Sequence, residues 1–327
     1  MRALGLITVL AVGCVDADAP APGGDDSEFE FVVDPGSTMN GLGPRLVELG
    51  LAPSEFQWKW YLRGVDASCL KAGRFSLRKN MSMAEVRETV CGAPLPDDEP
   101  FTVVEGWRIR DIDAALVDKG WIEPGEFVAV ATGMAVSAPF EMPAAATTYE
   151  GYLYPDTYMV PPPPRFSAEL LVERQLAGFQ DRFLTPQAEA IAASERSLHE
   201  LVTMASMLER EEPTDAKRPL VAGILWKRID NDWQLGVDAT SRYTLENWND
   251  RRAFLQQLRD PEDPYNSRVK KGLPPTPIGN PSITALTAAL GPESSEFWYY
   301  LHDATGTLHP ARNAGEHEAN RRTYNVY

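Results

Sequence analysis

Two stretches of the chain repeat the same order of apolar runs and turn residues, 70 positions apart. The first opens with Phe31–Gly36 and the second with Phe101–Gly106, each a short apolar stretch that ends in an acidic residue and a glycine. In each copy a helical pattern follows that a glycine stops, and a second helical pattern is entered through a proline. We therefore predict a strand, a turn and two helices in each copy. A shorter version follows Phe75, where Ser82 and Glu85 predict a capping box at a helix start.

Further along, the apolar spacing changes to that of longer helices. Ser167 precedes a stretch with apolar residues at steps of four, three and four, which predicts a helix with one buried face. A second long helix is predicted from about Glu189 to Glu211, with an inward stripe formed by Leu198, Leu201, Val202, Ala205 and Leu208. From Pro213 onwards, short helical patterns alternate with long loops rich in proline and glycine, which is the usual setting of a cleft.

Together these patterns predict an α+β fold. An N-terminal α/β module is expected at residues 31–95, and a mostly helical domain with long Pro/Gly-rich loops at residues 101–327. Residues 94–100 form the hinge between them, and residues 101–135 form a second copy of the module. A strand, a small-residue turn and a helix of this length resemble LysM-like glycan-binding modules, although many unrelated units share the pattern.

Composition excludes several classes of protein. Of 327 residues, 43% are hydrophobic and 24% are charged, which is enough to build a globular core. The 47 acidic residues exceed the 31 basic ones and give a formal net charge of −16, which opposes binding to nucleic acid or a polybasic contact with membranes. After the N-terminus, no apolar run approaches the ~18 residues of a membrane-spanning helix.

The N-terminus predicts export. The apolar run 3–13 follows Arg2 and is too short to cross a bilayer, but it suits a signal peptide at residues 1–13. Its end, Leu10–Cys14, resembles the lipobox of bacterial lipoproteins, in which the cysteine is lipidated; the alternative is a plain signal peptide cleaved nearby. The acidic residues 14–30, rich in Ala, Pro and Gly, are predicted to be a disordered tether.

The sequence has 3 cysteines. If Cys14 carries a lipid, Cys69 and Cys91 remain, and in an oxidising periplasm they are predicted to form a disulfide worth about 3 kcal/mol. The alternative is two buried free thiols.

The chemistry predicted for the chain is that of carboxylates. His199-Glu200 is not followed by the second histidine of an HExxH motif, and neither a GxSxG elbow nor a Walker loop occurs. With only 4 histidines, we expect no metal site and no cofactor. Glu209 lies four residues after Ala205 and seven after Val202, at the edge of the apolar stripe. Partial burial there would raise its pKa and suit it to donate a proton; the alternative is a solvated surface residue.

The run Ala205–Glu211 resembles the helix that bears the catalytic glutamate in the endolytic murein transglycosylases of the MltG (YceG-like) family. Further landmarks of this family follow in the same order, namely Glu150–Tyr158, Leu235–Thr240, Tyr265–Ser267, Gly272–Ile278 and the pair Glu316-His317. The regions around Phe31 and Phe75 resemble its LysM-like portion, so that the resemblance covers residues 30–327.

The chain departs from the family pattern at several positions. Arg268 stands where the family has a second tyrosine, and Ala239 replaces a proline. The histidine expected before the Glu-His pair is absent or displaced to His309. The predicted lipid anchor would take the place of the family's N-terminal transmembrane helix.

The resemblance implies cleavage of the β-1,4 bond between N-acetylmuramic acid and N-acetylglucosamine without water. Glu209 would protonate the leaving oxygen and then deprotonate the C6 hydroxyl of the muramic acid, giving a 1,6-anhydro end. The candidates for shaping the sugar sites are Glu150, Tyr154, Asp238, Tyr265 and Asn266, with loop capping and packing as alternative roles. Two other functions stay open: a non-catalytic peptidoglycan-binding lipoprotein, and a hydrolytic muramidase with Asp238 as its second carboxylate.

The expected partners are peptidoglycan strands and, by the same resemblance, peptidoglycan synthases. The expected location faces the periplasm, with a lipid anchor in the inner or the outer membrane.

Overall fold

The computed structural model of the protein describes residues 16–21 and 23–326. The predicted signal peptide and the lipidation site Cys14 lie outside the described residues. The chain divides into two compact units, one ending at Asp97 and the next beginning at Asp98. Both units combine helices with antiparallel strand pairs, so the α+β prediction is confirmed. Among the described residues, none of the helices has the length and apolar character needed to span a membrane.

The first unit is a small strand pair packed against short helices. Strands β1 and β2 run antiparallel with Phe31 opposite Phe75, and both phenylalanines enter a core built around Trp58. The side chains of Cys69 and Cys91 are joined by a disulfide at a Cα–Cα distance of 5.0 Å. The elements of this unit are β1 (Glu28–Val33), α1 (Gly43–Glu48), α2 (Glu55–Tyr61), β2 (Gly73–Arg78) and α3 (Met83–Cys91).

Part of the segment expected to be a disordered tether belongs to this unit. Strand β1 begins at Glu28, three residues before the predicted start of the module. The backbone N–H of Ala84 donates to the carbonyl of Ala17, and that of Ala21 donates to the carbonyl of Asn80. Backbone hydrogen bonds need no apolar side chains, which is why the polar composition did not reveal this order.

The second unit is mostly helical. It contains two further strand pairs: β3 pairs with β4, and β5 pairs with β6. Its elements are β3 (Glu99–Thr102), α4 (Ile109–Asp118), α5 (Glu126–Gly133), β4 (Thr157–Val160), α6 (Ala168–Phe179), α7 (Ala188–Ala193), α8 (Leu198–Glu211), α9 (Arg218–Asp230), α10 (Asp238–Arg242), α11 (Arg251–Gln257), α12 (Ile283–Leu290), β5 (Tyr299–His302), β6 (Leu308–Ala311) and α13 (Ala314–Thr323).

The predicted repeat of elements is confirmed. In each copy a strand leads to a helix and then to a second helix, β1–α1–α2 in the first unit and β3–α4–α5 in the second. Gly50 and Gly120, which follow the first helix of each copy, have φ values of 76° and 71°, a left-handed backbone that glycine adopts without strain. Ser82 and Glu85 form the predicted capping box. That these units are LysM-like stays a prediction.

The long helix predicted up to Glu211 is in fact two helices. Helix α7 ends at Ala193, and α8 starts anew behind Ser197, whose side chain forms a capping box with Glu200. The first N–H groups of a helix have no partner within the helix, and the side chain of Ser197 accepts from one of them. This favours the start of a new helix at Leu198 over an extension of α7. The prediction of one helix was therefore wrong. The helix behind Ser167 is confirmed as α6. Its residues Val172, Leu176 and Phe179 are buried, as is Phe183 in the π-helical turn that follows.

Helix α8 lies at the centre of the second unit. Residues 201–208 are all buried, and the helix packs against α9, α10 and α12. A loop that follows α5 passes close to it: a Cβ on Gly151 would lie 2.7 Å from Val202 and 2.5 Å from Pro277. Only glycine fits at this position, which brings the loop and the proline-rich segment onto α8.

Candidate active site

The last turn of α8 carries two glutamates, Glu209 and Glu211, on different sides of the helix. Each residue of an α-helix is rotated by about 100° from the one before it, so these two side chains are about 200° apart. Glu211 lines one cleft and Glu209 lines another. The sequence analysis singled out Glu209. The carboxyl groups of Glu209 and Glu211 have different hydrogen-bond partners and different neighbouring charges, and we describe Glu211 first.

The carboxyl group of Glu211 is partly buried and carries few stabilising contacts. The hydroxyl of Tyr300, on strand β5, donates to its Oε2 at 3.0 Å, and the backbone N–H of Ala239 donates to it as well. Burial raises the pKa of Glu211, and the negative charge of Asp238 adds to this rise. The Tyr300 hydroxyl, the backbone N–H and nearby His302 act in the opposite direction but do not cancel it.

The cleft beside Glu211 has a volume of about 540 Å³. Asp238, the first residue of α10, lies in it and forms an ion pair with Arg268 at 2.7 Å. The remaining wall comes from β5, α9 and the C-terminal helix α13, through Arg228, Tyr299, Tyr300, His302, His317 and Arg321. The cleft is open and polar, and it offers a carboxyl group with a raised pKa next to a second carboxylate.

Glu209, in contrast, belongs to a buried ion pair. Its Oε1 lies 2.9 Å from the guanidinium of Arg218, and the two side chains are 8% and 5% exposed. Its Oε2 accepts hydrogen bonds from the backbone N–H and the hydroxyl of Ser282, the residue that caps α12. The prediction that Glu209 lies at the edge of the buried region is confirmed, but its carboxyl oxygens are occupied by these partners, which join α8, α9 and α12.

The cleft beside Glu209 is smaller, about 340 Å³. Tyr154, a predicted sugar-site residue, lies in this cleft together with Glu105 and Asp215. The structure therefore places Tyr154 with Glu209 and Asp238 with Glu211.

Glu150 is buried under the start of α4 and is only 2% exposed. Its carboxyl group accepts hydrogen bonds from the backbone N–H of Ile109 at 3.2 Å and from the hydroxyl of Tyr243 at 3.1 Å. Burial raises the pKa of Glu150 to about 8. These contacts match the capping role that was the alternative to sugar binding.

Asn280 completes the network around Glu150. Its side chain accepts from the backbone N–H groups of Gly151 and Leu153 at 2.9 and 3.1 Å, and donates to the carbonyl of Trp107 at 2.9 Å. The Glu150–Tyr158 landmark and Asn280 thus meet in the interior of the unit.

Tyr265 and Asn266 also make structural contacts. The Tyr265 hydroxyl is 2.8 Å from Oγ1 of Thr276, and its ring packs against Tyr243 at a centroid distance of 4.9 Å. Asn266 is completely buried and donates to the carbonyls of Leu258 and Asp260 at 3.1 and 2.9 Å. They shape the loop from which the next residues reach the cleft.

Ser267 and Arg268 make that connection. The Ser267 hydroxyl accepts from the backbone N–H of Val237 at 2.9 Å and donates to its carbonyl at 3.0 Å, which fixes the loop before Asp238. Arg268 then holds the Asp238 carboxylate itself.

The residues that the sequence reasoning missed are Glu211, Tyr300 and Arg268. Glu211 lies three residues after Leu208 and seven after Met204, both buried, so a helical-spacing signal existed. Because α8 is buried on every side from 201 to 208, the same spacing rule selects Glu209 and Glu211 equally well. In the described part of the chain, no group of three or more His, Cys, Asp or Glu is arranged to hold a metal ion.

The fold mixes helices with small antiparallel strand pairs, and its central helix α8 carries a glutamate toward each of two clefts. This is the arrangement on which the family assignment is tested. A model of the YceG-like family matches residues 31–323, and the chain belongs to this family. The family predicted from the sequence is thereby confirmed.

Characterised relatives carry a common name. The chain is 25% identical over 312 residues to a Streptococcus pneumoniae protein named endolytic murein transglycosylase, a match that covers 87% of this chain and 56% of that protein. It is 25% identical over 301 residues to a Bacillus subtilis protein of the same name, covering 88% of this chain and 82% of that one. The chain thus spans about half the length of the pneumococcal relative.

A crystal structure of a yceG-like protein from Listeria monocytogenes shares the fold. The two superpose with a TM-score of 0.61 at 21% identity, over 90% of this chain and 100% of the other.

Proposed function

We propose that this protein is an endolytic lytic transglycosylase of peptidoglycan. It cleaves the β-1,4 bond between N-acetylmuramic acid and N-acetylglucosamine inside a strand, leaves a 1,6-anhydro end, and limits glycan length. Membership of the YceG-like family and the names of two relatives support this proposal. The observation that carries it is a carboxyl group with a raised pKa, Glu211, in a cleft of about 540 Å³.

The general acid in this proposal is Glu211. A raised pKa keeps more of its carboxyl group protonated near neutral pH than an ordinary glutamate. Glu209, the acid predicted from the sequence, is the competing assignment. We prefer Glu211 because both carboxyl oxygens of Glu209 are already occupied, one by the Arg218 guanidinium and the other by the two donors of Ser282.

The reaction needs one such group. Glu211 gives its proton to the glycosidic oxygen as the bond to C1 of the muramic acid breaks. The resulting carboxylate takes the proton of the C6 hydroxyl, whose oxygen bonds to C1 and closes the 1,6-anhydro ring. Attack from within the same sugar has a high effective molarity, so no second carboxylate or water is required. Tyr300 and the Ala239 N–H stabilise the carboxylate between the two proton transfers.

Sugar contacts are assigned to the residues that line the clefts. Asp238 would contact the sugar next to Glu211, and Tyr154 would contact a more distant part of the strand. Glu150, Tyr265 and Asn266 support the site from the interior, as their hydrogen bonds suggest.

A hydrolytic muramidase is the second candidate. It is favoured by one observation, the proximity of the Asp238 charge to Glu211, because most glycoside hydrolases use two carboxylates. In that mechanism Asp238 would act as base or nucleophile, and the products would carry reducing ends.

For location, we propose export and a lipid on Cys14, with the glycan strand and peptidoglycan synthases as partners. The disulfide between Cys69 and Cys91 supports an oxidising compartment outside the cytoplasm. The apolar residues 3–13 and the sequence ending at Cys14 support the anchor.

The test is mass spectrometry of peptidoglycan after incubation with the chain from residue 16 onwards, which lacks Cys14 and keeps β1 and the hydrogen bonds of Ala17 and Ala21. Internal fragments with 1,6-anhydro ends would support the transglycosylase, and reducing ends would support the muramidase. Binding to sacculi without any cleavage would favour a non-catalytic binding protein. The matched variants are Glu211→Gln and Glu209→Gln: loss of products in the first alone supports Glu211 as the acid, and loss in the second alone returns the role to Glu209.

A further inference from the structure

The cleft beside Glu211 differs in charge from the rest of the molecule. The chain as a whole has a formal net charge of −16, yet Arg228, Arg268 and Arg321 line this cleft together with Glu211 and Asp238. An acidic protein repels an anionic substrate over long distances, so arginines collected at one cleft provide a local attraction.

Two of these arginines donate their N–H groups to other groups of the protein. Arg228 donates from Nε and Nη2 to the carbonyl of Trp298 at 2.9 and 2.6 Å, and from Nη1 to the carbonyl of Leu235. Arg321 donates from Nε to the carbonyl of Val326 at 3.2 Å, and its Nη1 lies 3.5 Å from Glu318. Both stabilise the wall of the cleft.

Arg268 is held differently. Its Nε and Nη2 both contact Oδ1 of Asp238 at 2.7 Å, and its side chain is 52% exposed. These two nitrogens form one edge of the planar guanidinium group. Within residues 16–21 and 23–326, no hydrogen bond or ion pair involves Nη1, so the end edge of the group is open to the cleft.

This arrangement suits recognition of a carboxylate. Two parallel N–H groups of a guanidinium match the two oxygens of a carboxylate, and an arginine already fixed on one edge loses little freedom when it binds on the other. Asp238 therefore acts as a positioning residue for Arg268.

Resting on the proposed function, we propose that Arg268 binds a carboxylate carried by the substituent at C3 of the muramic acid ring. That substituent is a lactyl group, which ends in a free carboxylate when the peptide is absent and carries the peptide's carboxylates when it is present. C3 belongs to the same ring as the C1 atom at which the bond breaks. Glu211, Asp238 and Arg268 line the same cleft, so a sugar placed with its glycosidic oxygen at Glu211 has its C3 substituent in the cleft into which Arg268 presents its open edge.

The experiment compares wild type with Arg268→Gln, Arg268→Lys and, as a matched control, Arg322→Gln. Arg322 has a side chain that is 74% exposed and does not line the cleft. The substrates are uncrosslinked strands with intact peptides, strands stripped of peptide by an amidase, and each of these with its carboxylates converted to methylamides. Both KM and kcat are measured, and circular dichroism and thermal unfolding verify the fold of each variant.

The expected result is a roughly 10- to 100-fold rise in KM for Arg268→Gln on carboxylate-bearing strands, with a smaller change in kcat, as for loss of a charge-assisted hydrogen bond. Arg268→Lys keeps the charge but not the two parallel donors, so its KM should be intermediate. On methylamidated strands the ratio between wild type and Arg268→Gln should shrink toward one. A loss on stripped strands identifies the lactyl carboxylate, and a loss on intact strands alone identifies a peptide carboxylate.

An Arg268→Gln effect that is the same on all four strands, or equal to that of Arg322→Gln, would overturn the inference. Strand binding is also measured by co-sedimentation in the Glu211→Gln background, which does not depend on cleavage. If the wild type cuts no strand, the proposed function fails, while the binding comparison still decides on Arg268.

Discussion

Glu209 and Glu211 are separated by one residue at the end of α8, yet the first is enclosed by an ion pair with Arg218 and the second faces a cleft with a raised pKa. The rotation of the helix sends the two carboxyl groups into different environments. In one, an ion pair and two hydrogen-bond donors occupy the carboxyl oxygens of Glu209 and join three helices. In the other, burial favours the protonated form that acid catalysis needs.

This difference predicts opposite consequences for two similar substitutions. Glu209→Gln removes the buried partner of Arg218 and leaves that guanidinium with only the exposed Asp215 at 3.0 Å, which should lower the unfolding free energy by about 3 kcal/mol. Glu211→Gln resembles the protonated form and should leave stability nearly unchanged. Urea unfolding of both variants at neutral pH measures this. Equal stability of the two would contradict a structural role for the Glu209 ion pair.

For the reaction, we expect Glu211→Gln to lower kcat/KM by about 100- to 10,000-fold, the usual contribution of a general acid. Glu209→Gln should keep most of the activity at temperatures where it is folded. The rate of 1,6-anhydro end formation, measured well below the unfolding midpoint of each variant, gives the comparison. A loss of activity confined to Glu209→Gln would show that the acid was assigned to the wrong glutamate.

The neighbours of Glu211 predict shifts of the pH profile in two directions. The Asp238 charge raises the pKa of Glu211, so Asp238→Asn should move the basic limb of kcat/KM to lower pH. The Tyr300 hydroxyl lowers that pKa, so Tyr300→Phe should move the same limb to higher pH. The basic limb reports the acid in the free enzyme. Profiles of the three proteins that coincide would exclude Glu211 as the titrating acid.

Glu150 predicts a pH dependence of stability. Its pKa is about 8 in the folded protein against 4.5 ordinarily, so between these values the folded state keeps a proton that the unfolded state has lost. Its contribution is therefore fully present below about pH 4.5 and is lost as the pH rises through 8, up to about 5 kcal/mol for the whole shift. In Glu150→Gln, the unfolding free energy should fall less as the pH rises. Unfolding free energies from pH 5 to 9 test it, and parallel curves for wild type and variant would contradict the expectation.

The disulfide of the first unit predicts a local effect. Replacing Cys69 and Cys91 by serine opens a loop with a sequence separation of 22, which should lower the stability of that unit by about 3 kcal/mol. Hydrogen exchange followed by mass spectrometry separates the two units. Faster exchange in residues 28–91 with unchanged exchange in α8 is the expected outcome, and equal protection throughout would contradict it.

The sequence by itself determined the local structure and the family. Apolar spacing and turn residues identified α6, the repeated strand–helix–helix order and the capping box at Ser82, because each depends on residues within a few positions of one another. The order of the landmarks identified the YceG-like family. The break before α8 was missed because helical apolar spacing is present on both sides of Ser197, and the spacing alone does not show that this serine caps a new helix.

Only the tertiary structure decided which carboxylate is the candidate acid. The environment of Glu211 is made by Tyr300, the Ala239 backbone and Asp238, which lie 27 to 89 residues away along the chain. That of Glu209 is made by Arg218, nine residues away, and by Ser282, 73 residues away. A helix buried on all sides gives no single apolar stripe, so spacing treats both glutamates alike. The same holds for Glu150 and Asn266, which the sequence analysis predicted as site residues. In the interior, Glu150 accepts from the backbone N–H of Ile109, 41 residues away, and Asn266 donates to carbonyls of its own loop. Protonation depends on burial and on charges in space, and these are properties of the folded chain.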